Sequence, residues 1–294
     1  MVRSLLILSL TLPACKALPD AEEAYSDALV TAFRDLHADE EAVAATLRSV
    51  ERQTYQLVDV VAPDVAARAV GPAPLTEADV ADLERPDVDP GQALAVAVAG
   101  VSPFAIEAHA TIPTLEDQRP VEPQSPDHYE RTFLDGRECW EDRGCPVLKT
   151  HQELTKKNLL LEVPYEFFKD FRWIDLAAGT DEEEPRWAYI AKSWNPDSFE
   201  GEGGKNTLVQ SYTVEFWIPR DGRGFRWDDP EVEPVEGRAE DSTGGGVLRL
   251  LCLWTETDLS IAASDELTIG TIRWGIDQNY EAVDEFLTAQ AATD

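Results

Sequence analysis

Four sets of residues in this chain are of types that can do chemistry. His109, His128 and His151 lie far apart in sequence, and if three strands or their ends brought them together they would make a metal or general-base site. Glu256 and Asp258, alternate residues in Trp254-Thr255-Glu256-Thr257-Asp258, have the form of an acid/base pair at a strand tip, a pattern that equally suits solvated or capping carboxylates. Cys139 and Cys145 flank a short polar stretch between Arg137 and Pro146, which suits a disulfide closing a small loop in an oxidising compartment. Such a bridge contributes about 2 kcal/mol by chain entropy. A metal pair is the alternative, but no second cysteine pair exists and neither His128 nor His151 stands at zinc-site spacing. Cys252, inside Leu250-Leu251-Cys252-Leu253-Trp254, reads as a small buried hydrophobe.

Motifs with fixed spacing are absent. There is no G-x-S-x-G elbow and no H-E-x-x-H pair. The stretch Gly201-Glu202-Gly203-Gly204-Lys205-Asn206-Thr207 imitates a phosphate loop, yet Phe199 stands where its first glycine belongs and Asn206 where Ser or Thr is required. Asp87, Asp89 and Gly91 imitate a calcium loop that fails at Val98, where a bidentate Glu is needed. The sequence therefore assigns no catalytic residue, no metal and no cofactor.

The segment Thr207–Pro219 is more informative. Period-two alternation puts Leu208, Tyr212, Val214, Phe216 and Ile218 on one face, which Gln210 interrupts. A polar side chain on an apolar face must find a hydrogen-bond partner. Gln210 and Tyr212 are thus either a satisfied core pair or, with Glu256, the polar contacts of a ligand cavity. Trp217 falls on the opposite face, placed to bind a partner or to cover a neighbour.

At the N-terminus Arg3 precedes an apolar run from Leu5 to Leu12. A bilayer-spanning helix needs about 20 apolar residues, whereas a signal-peptide core needs roughly 7 to 15 after a basic start. The run ends in Leu12-Pro13-Ala14-Cys15, which resembles the lipobox of bacterial lipoproteins. That resemblance implies a signal peptide over residues 1–14, cleavage before Cys15, and diacylglyceryl and further acyl (palmitate-type) chains on Cys15 that tether the protein to a membrane. Two or three chains on one residue hold essentially permanently, at about 0.8 kcal/mol per buried CH₂. In the proteobacterial sorting scheme an aspartate after the cysteine favours retention in the inner membrane; Lys16 stands there, which implies the outer membrane. Pro13 departs from the usual small residue. An ordinary secretory signal and a poorly ordered cytoplasmic leader are the competing readings.

Composition limits the partners. With 57 acidic against 25 basic residues the formal net charge is −32, which argues against nucleic acid and against anionic membrane surfaces as direct partners. The acids are scattered, as on a strongly hydrated, self-repelling surface, and not gathered at ligand spacings. Hydrophobic residues make up 43% of the chain, enough for a folded domain with a substantial core.

These residues must be positioned by recognisable elements. Helical periodicity from Asp20 to about Val61 gives two stripes, Leu29/Phe33/Leu36 and Val43/Leu47/Val50, with Asp39 placed to cap the second helix. Thr76 and Asp79 form a capping-box-like start for a short helix before Pro86. A Pro- and Asp-rich connector runs from Pro63 to Gly91. Ala93–Ile112 then reads as one bent strand or two short ones. Further strands are expected over Tyr129–Leu134, Val147–Thr155, Leu159–Tyr165, Phe171–Leu176, Trp187–Trp194, Thr207–Pro219 and Val247–Thr257. A hairpin turn is expected at 221–224 and an exposed acidic loop from Asp228 to Gly246. Ser264 is set to cap a long final helix carrying Ile269, Ile272, Ile276, Tyr280, Val283 and Leu287, which Gly270 and Gly275 weaken by about 1 kcal/mol each relative to Ala.

The expected fold class is therefore α+β: an antiparallel, largely meandering β-sheet with a long C-terminal helix, preceded by an N-terminal helical pair. Its divisions are the signal at 1–14, a lipid-anchored helical segment and connector at 15–91, and the sheet domain at 92–294. From Ala93 to Leu287 this order of elements resembles the helix-grip folds of the START and polyketide-cyclase-like superfamily, which implies a curved sheet around an apolar cavity. The expectation for function is a membrane-tethered, non-enzymatic envelope domain that binds an apolar small molecule or an envelope protein. The alternative is a hydrolase or isomerase with a carboxylate/His site in the sheet–helix cavity.

Overall fold

The computed structural model describes residues 17–57, 71–157, 162–220, 246–259 and 264–292. Cys15, the turn expected at 221–224 and all but the last residue of the loop expected over 228–246 lie outside the described residues. Two helices come first, Ala17–Arg34 (α1) and Glu40–Leu57 (α2). Leu29, Phe33 and Leu36 of the α1 region, and Val43, Leu47 and Val50 of α2, are all buried. Spacings of three and four residues put each set on one face, and burying those faces together is what pairs the helices. Asp39 Oδ1 accepts the Glu41 N–H at 3.0 Å, satisfying one of the free donors of the first turn.

Eight strands follow: Leu94–Ser102 (β1), Tyr129–Asp135 (β2), Val147–Lys157 (β3), Glu162–Asp175 (β4), Trp187–Trp194 (β5), Phe199–Glu200 (β6), Asn206–Pro219 (β7) and Val247–Leu259 (β8). They form one antiparallel sheet in the order β1-β8-β7-β5-β4-β3-β2, with β6 paired to β7. From β2 onward the sheet is a meander. The departure is β1, which crosses to the far edge and pairs with the last strand, Leu94 opposite Thr255 through Ser102 opposite Val247. The chain ends in the helix Asp265–Ala291 (α4), capped as expected by Ser264, whose Oγ accepts the Leu267 N–H at 3.3 Å.

Local expectations needed correcting in four places. The second half of Ala93–Ile112 is a short helix, Ile106–Ala110 (α3), because Pro103 directly after β1 lacks the N–H a continuing ladder needs. Leu159–Tyr165 and Phe171–Leu176 are not separate strands but contribute to β4, which runs unbroken through Glu162–Asp175. The charges between them are partnered: Asp170 faces His37 Nε2 at 2.8 Å, and Lys169 meets Glu215 on β7 at 2.5 Å. Thr76 and Asp79 do bond, with Oδ2 accepting from the Thr76 amide at 2.8 Å and hydroxyl at 2.6 Å, but successive i to i+3 turns follow where a helix was expected. The short β6 had no counterpart among the expected strands.

The sheet separates two layers. On one face Phe33 packs edge-on against Tyr212, centroids 5.9 Å apart, and against Trp254 at 5.6 Å, so α1 and α2 share a core with the even-numbered residues of β7 and β8. A buried bidentate ion pair locks this layer in place. Arg186 donates to both carboxylate oxygens of Glu51 on α2, at 2.8 and 2.6 Å, and to the Pro219 carbonyl at 2.8 Å. The other face carries α3 and α4. There Tyr280 lies against Gly100, where any Cβ would sit 2.9 Å from its ring, and Arg249 of β8 grips Asp284 of α4 with two bonds of 3.0 and 2.9 Å.

Candidate functional site

Alternation decides what lies between the sheet and α4. On β7 and β8 the odd-numbered residues from Ser211 and Leu251 onward face away from α1 and α2. Ser211, Thr213 and Glu215 of β7 and alternate residues from Leu251 to Leu259 of β8, with Phe167 and Lys169 of β4 and Ile272 and Ile276 of α4, line a cavity of about 210 Å³ that opens to solvent. α4 is held over it from its middle, by Tyr280 and Asp284, while its first turns, bearing Thr268, Thr271 and Ile272, line the cavity wall. Leu251, Leu253, Ile272 and Ile276 provide apolar surface, and the sheet adds a row of hydroxyls.

The cavity floor is ionic but balanced. Lys169 and Glu215, each only 14% exposed, form a pair at 2.5 Å. The Lys169 ammonium also stands 5.0 Å from the Phe171 ring centroid and 5.9 Å from that of Trp217, close enough for cation–π attraction. A second pair joins Lys156 and Glu122 at 3.4 Å, and Asn279 of α4 donates to the same Glu122 oxygen at 2.9 Å. Burial, and then the nearby Glu122 charge, push the Tyr165 phenol up, so this lining group stays neutral.

Beyond Phe171 and Trp217 the same face closes into an aromatic cluster. Trp217 stacks on Tyr189 with centroids 4.4 Å apart, so it covers a neighbour. Cys139 and Cys145 are joined by a disulfide, Cα atoms 5.1 Å apart, and the loop between them delivers Trp140 into the cluster. Trp140 is fully buried, stacks on Trp173 at 5.2 Å and donates its indole N–H to the Ala110 carbonyl at 3.1 Å. The bridge thus holds the plug that seals this end of the layer.

The residues proposed from sequence as polar cavity contacts are elsewhere. Gln210, Tyr212 and Glu256 lie on the α1/α2 face, and none of them lines the cavity. Gln210 Nε2 donates to Glu256 Oε2 at 2.6 Å and to the Asp89 carbonyl at 2.8 Å, while Tyr212 packs on Phe33. This is the core alternative for Gln210 and Tyr212, and a β-bulge changes the expected face of Leu208 alone. Leu208 pairs with Thr257 but Gln210 pairs with Glu256, leaving Val209 as the extra residue, so Leu208 turns into the cavity and strict alternation fails at that point.

The histidines do not converge either. His109 is buried beside Ser102, and His151 bonds Glu166 Oε2 at 2.9 Å near Glu153. The His151, Glu153 and Glu166 group is the one cluster of three or more metal-ligating side chains among the described residues, and it includes neither His109 nor His128. Cys252 is a free, fully buried thiol whose pKa burial pushes up, which suits packing and not nucleophilic chemistry. What sequence reading missed was the Lys169–Glu215 pair. Its signal was present: charges at alternate positions in Phe167-x-Lys169-x-Phe171 and Thr213-x-Glu215-x-Trp217 sit on otherwise inward faces.

No family model matches the chain, and no curated protein matches it. Among solved structures it is similar to human StAR-related lipid transfer protein 5, with 8% identity over 85% of this chain and 99% of that one, at a TM-score of 0.40. It is similar to a STAR-related lipid transfer protein fragment from Xanthomonas axonopodis, with 11% identity over 67% and 87% of the two chains and a TM-score of 0.36. A protein from Thermus thermophilus gives 11% identity over 67% and 98%, with a TM-score of 0.38. Likeness at these values bears on neither ligand nor activity.

Proposed function

We propose that this chain is a lipid-anchored, exported binding domain that takes up a small amphipathic molecule between its sheet and α4. The observation that carries the binding reading is the cavity itself: about 210 Å³, walled by aliphatic side chains on two elements and crossed by fixed polar groups. A cleft of this size between a sheet and a helix, with aliphatic walls and a few convergent polar groups, has the form of a small-molecule site. The anchoring reading rests on the run Leu5–Leu12 followed by Leu12-Pro13-Ala14-Cys15, and the outer membrane is favoured by Lys16.

Two measurements test these parts separately. Native mass spectrometry and thermal unfolding with medium-chain amphiphiles should show a bound species and a raised Tm for the natural sequence, and neither for Ile272→Trp, whose indole fills the cavity. Equal uptake by both proteins, or by neither, ends the cavity reading. For the tether, Cys15→Ala should move the chain out of the membrane fraction of an expressing bacterium; a variant that still partitions with membranes rules out a lipid on Cys15.

A further inference from the structure

The charges and hydroxyls that line the cavity restrict what it can hold. Its ionised lining consists of two acids and two bases, already paired as Lys169–Glu215 and Lys156–Glu122. A ligand carboxylate brought to Lys169 meets Glu215 at the same place, and a ligand ammonium brought to Glu215 meets Lys169. Either ion would leave water without a net compensating charge, the costly case for a buried group.

Several lining hydroxyls already donate within the protein, whereas the buried indole N–H of Trp194, also in the lining, has no partner among the described residues. Thr268 and Thr271 donate along α4 to the Ser264 and Leu267 carbonyls at 3.2 and 2.9 Å, and Thr255 donates to the Gln210 carbonyl at 3.3 Å. Thr213 and Ser193 share a bond of 2.6 Å in which either hydroxyl can donate, and Thr213 also lies 3.4 Å from Glu215 Oε1. A hydroxyl whose single proton is spoken for still offers lone pairs, so these groups face the cavity chiefly as acceptors.

We infer that the cavity selects an uncharged amphiphile, such as a fatty alcohol, over the carboxylate or ammonium of the same chain length. This rests on the cavity being a binding site. The apolar body lies against Leu251, Leu253, Ile272 and Ile276, and a hydroxyl head, which both donates and accepts, meets the hydroxyl row and the unpartnered Trp194 N–H. The chain's net charge of −32 opposes approach of the anion further.

The test titrates decanol, decanoate and decylammonium, each below its micelle concentration, against the full chain carrying Cys15→Ala, so that no attached acyl chain competes. Tryptophan fluorescence reports binding, since Trp194 lines the cavity. Decanol should bind at least about tenfold tighter than either ion, the discrimination expected from burying one uncompensated charge. Glu215→Gln leaves Lys169 unpaired and should improve decanoate relative to decanol by about tenfold. If that variant does not fold, Glu122→Gln makes the same change at the second pair. Decanoate or decylammonium binding as tightly as decanol, or an unchanged order in the folded variant, overturns the inference while leaving a binding cavity in place. Failure of all three ligands removes the binding reading itself.

Discussion

The Nε2 atom of His109 lies 2.8 Å from the hydroxyl oxygen of Ser102, and both side chains are fully buried. With Asp284 alongside, the residue types of a nucleophilic triad adjoin, but the protons run the wrong way. Ser102 donates to Asp284 Oδ1 at 2.7 Å, so the imidazole proton sits on Nε2 and points at Ser102, while His109 Nδ1 has no hydrogen-bond partner among the described residues. A base that is already protonated on the side facing the hydroxyl cannot activate it. The trio ties β1 to α3 and α4.

That arrangement makes stability depend on pH. Burial, and next the Arg249 charge, lower the His109 pKa to about 3, against an unfolded value of about 6.5. The folded protein therefore stays neutral at His109 while the unfolded chain gains a proton. The stabilisation is complete above about pH 6.5 and is lost as pH falls toward 3, at about 1.4 kcal/mol per unit. His109→Gln keeps a donor for Ser102 and does not titrate. Urea unfolding at several pH values between 7 and 5 should show the wild-type advantage over this variant shrinking by that slope; a constant gap contradicts the assignment.

Removing one partner of the Glu51–Arg186 pair should be severe. Both side chains are 3% exposed, so Glu51→Ala removes two short charge-assisted bonds from a buried guanidinium and should cost about 3 kcal/mol. Replacing both residues by Leu and Met should cost less than the single change. Equilibrium denaturation of the three proteins decides this, and a double variant less stable than Glu51→Ala would be inconsistent with the pair as described.

The two glycines of α4 should respond oppositely to alanine. Nothing lies within 4 Å of a Cβ at Gly270, so Gly270→Ala should gain about 0.5–1 kcal/mol through helix propensity. A Cβ at Gly275 would collide with the carboxamide of Gln124, itself buried, and Gly275→Ala should lose about 1–3 kcal/mol by overpacking. Thermal melts of both variants check the signs.

Cys139→Ser with Cys145→Ser should lower stability by about 2 kcal/mol and redshift tryptophan emission as Trp140 loosens. A blue or unchanged spectrum would mean that the loop seats Trp140 without its bridge.

Local periodicity carried most of the fold. Leu29/Phe33/Leu36 and Val43/Leu47/Val50 specify two amphipathic helices, and alternation in β7 specifies a strand, because these periods are properties of the backbone within each element; β5 and β8 are legible as short apolar runs. Cys139 and Cys145, six residues apart, similarly announce their own loop.

Contacts distant in sequence were another matter. That β1 pairs with β8 is decided by the packing of all the strands together, and no residue in Leu94–Ser102 encodes its partner. One extra residue at Val209 sends Leu208 into the cavity and Gln210 into the helical layer, a reversal that depends on the register with β8. The Lys169–Glu215 pair, 46 residues apart, exists only because β5 spaces β4 from β7 across the same face. By itself the sequence determined most of the elements and the Cys139–Cys145 loop. The tertiary structure decided which face holds a cavity and which charges neutralise one another in it, because burial and electrostatic pairing depend on distance in space and not along the chain.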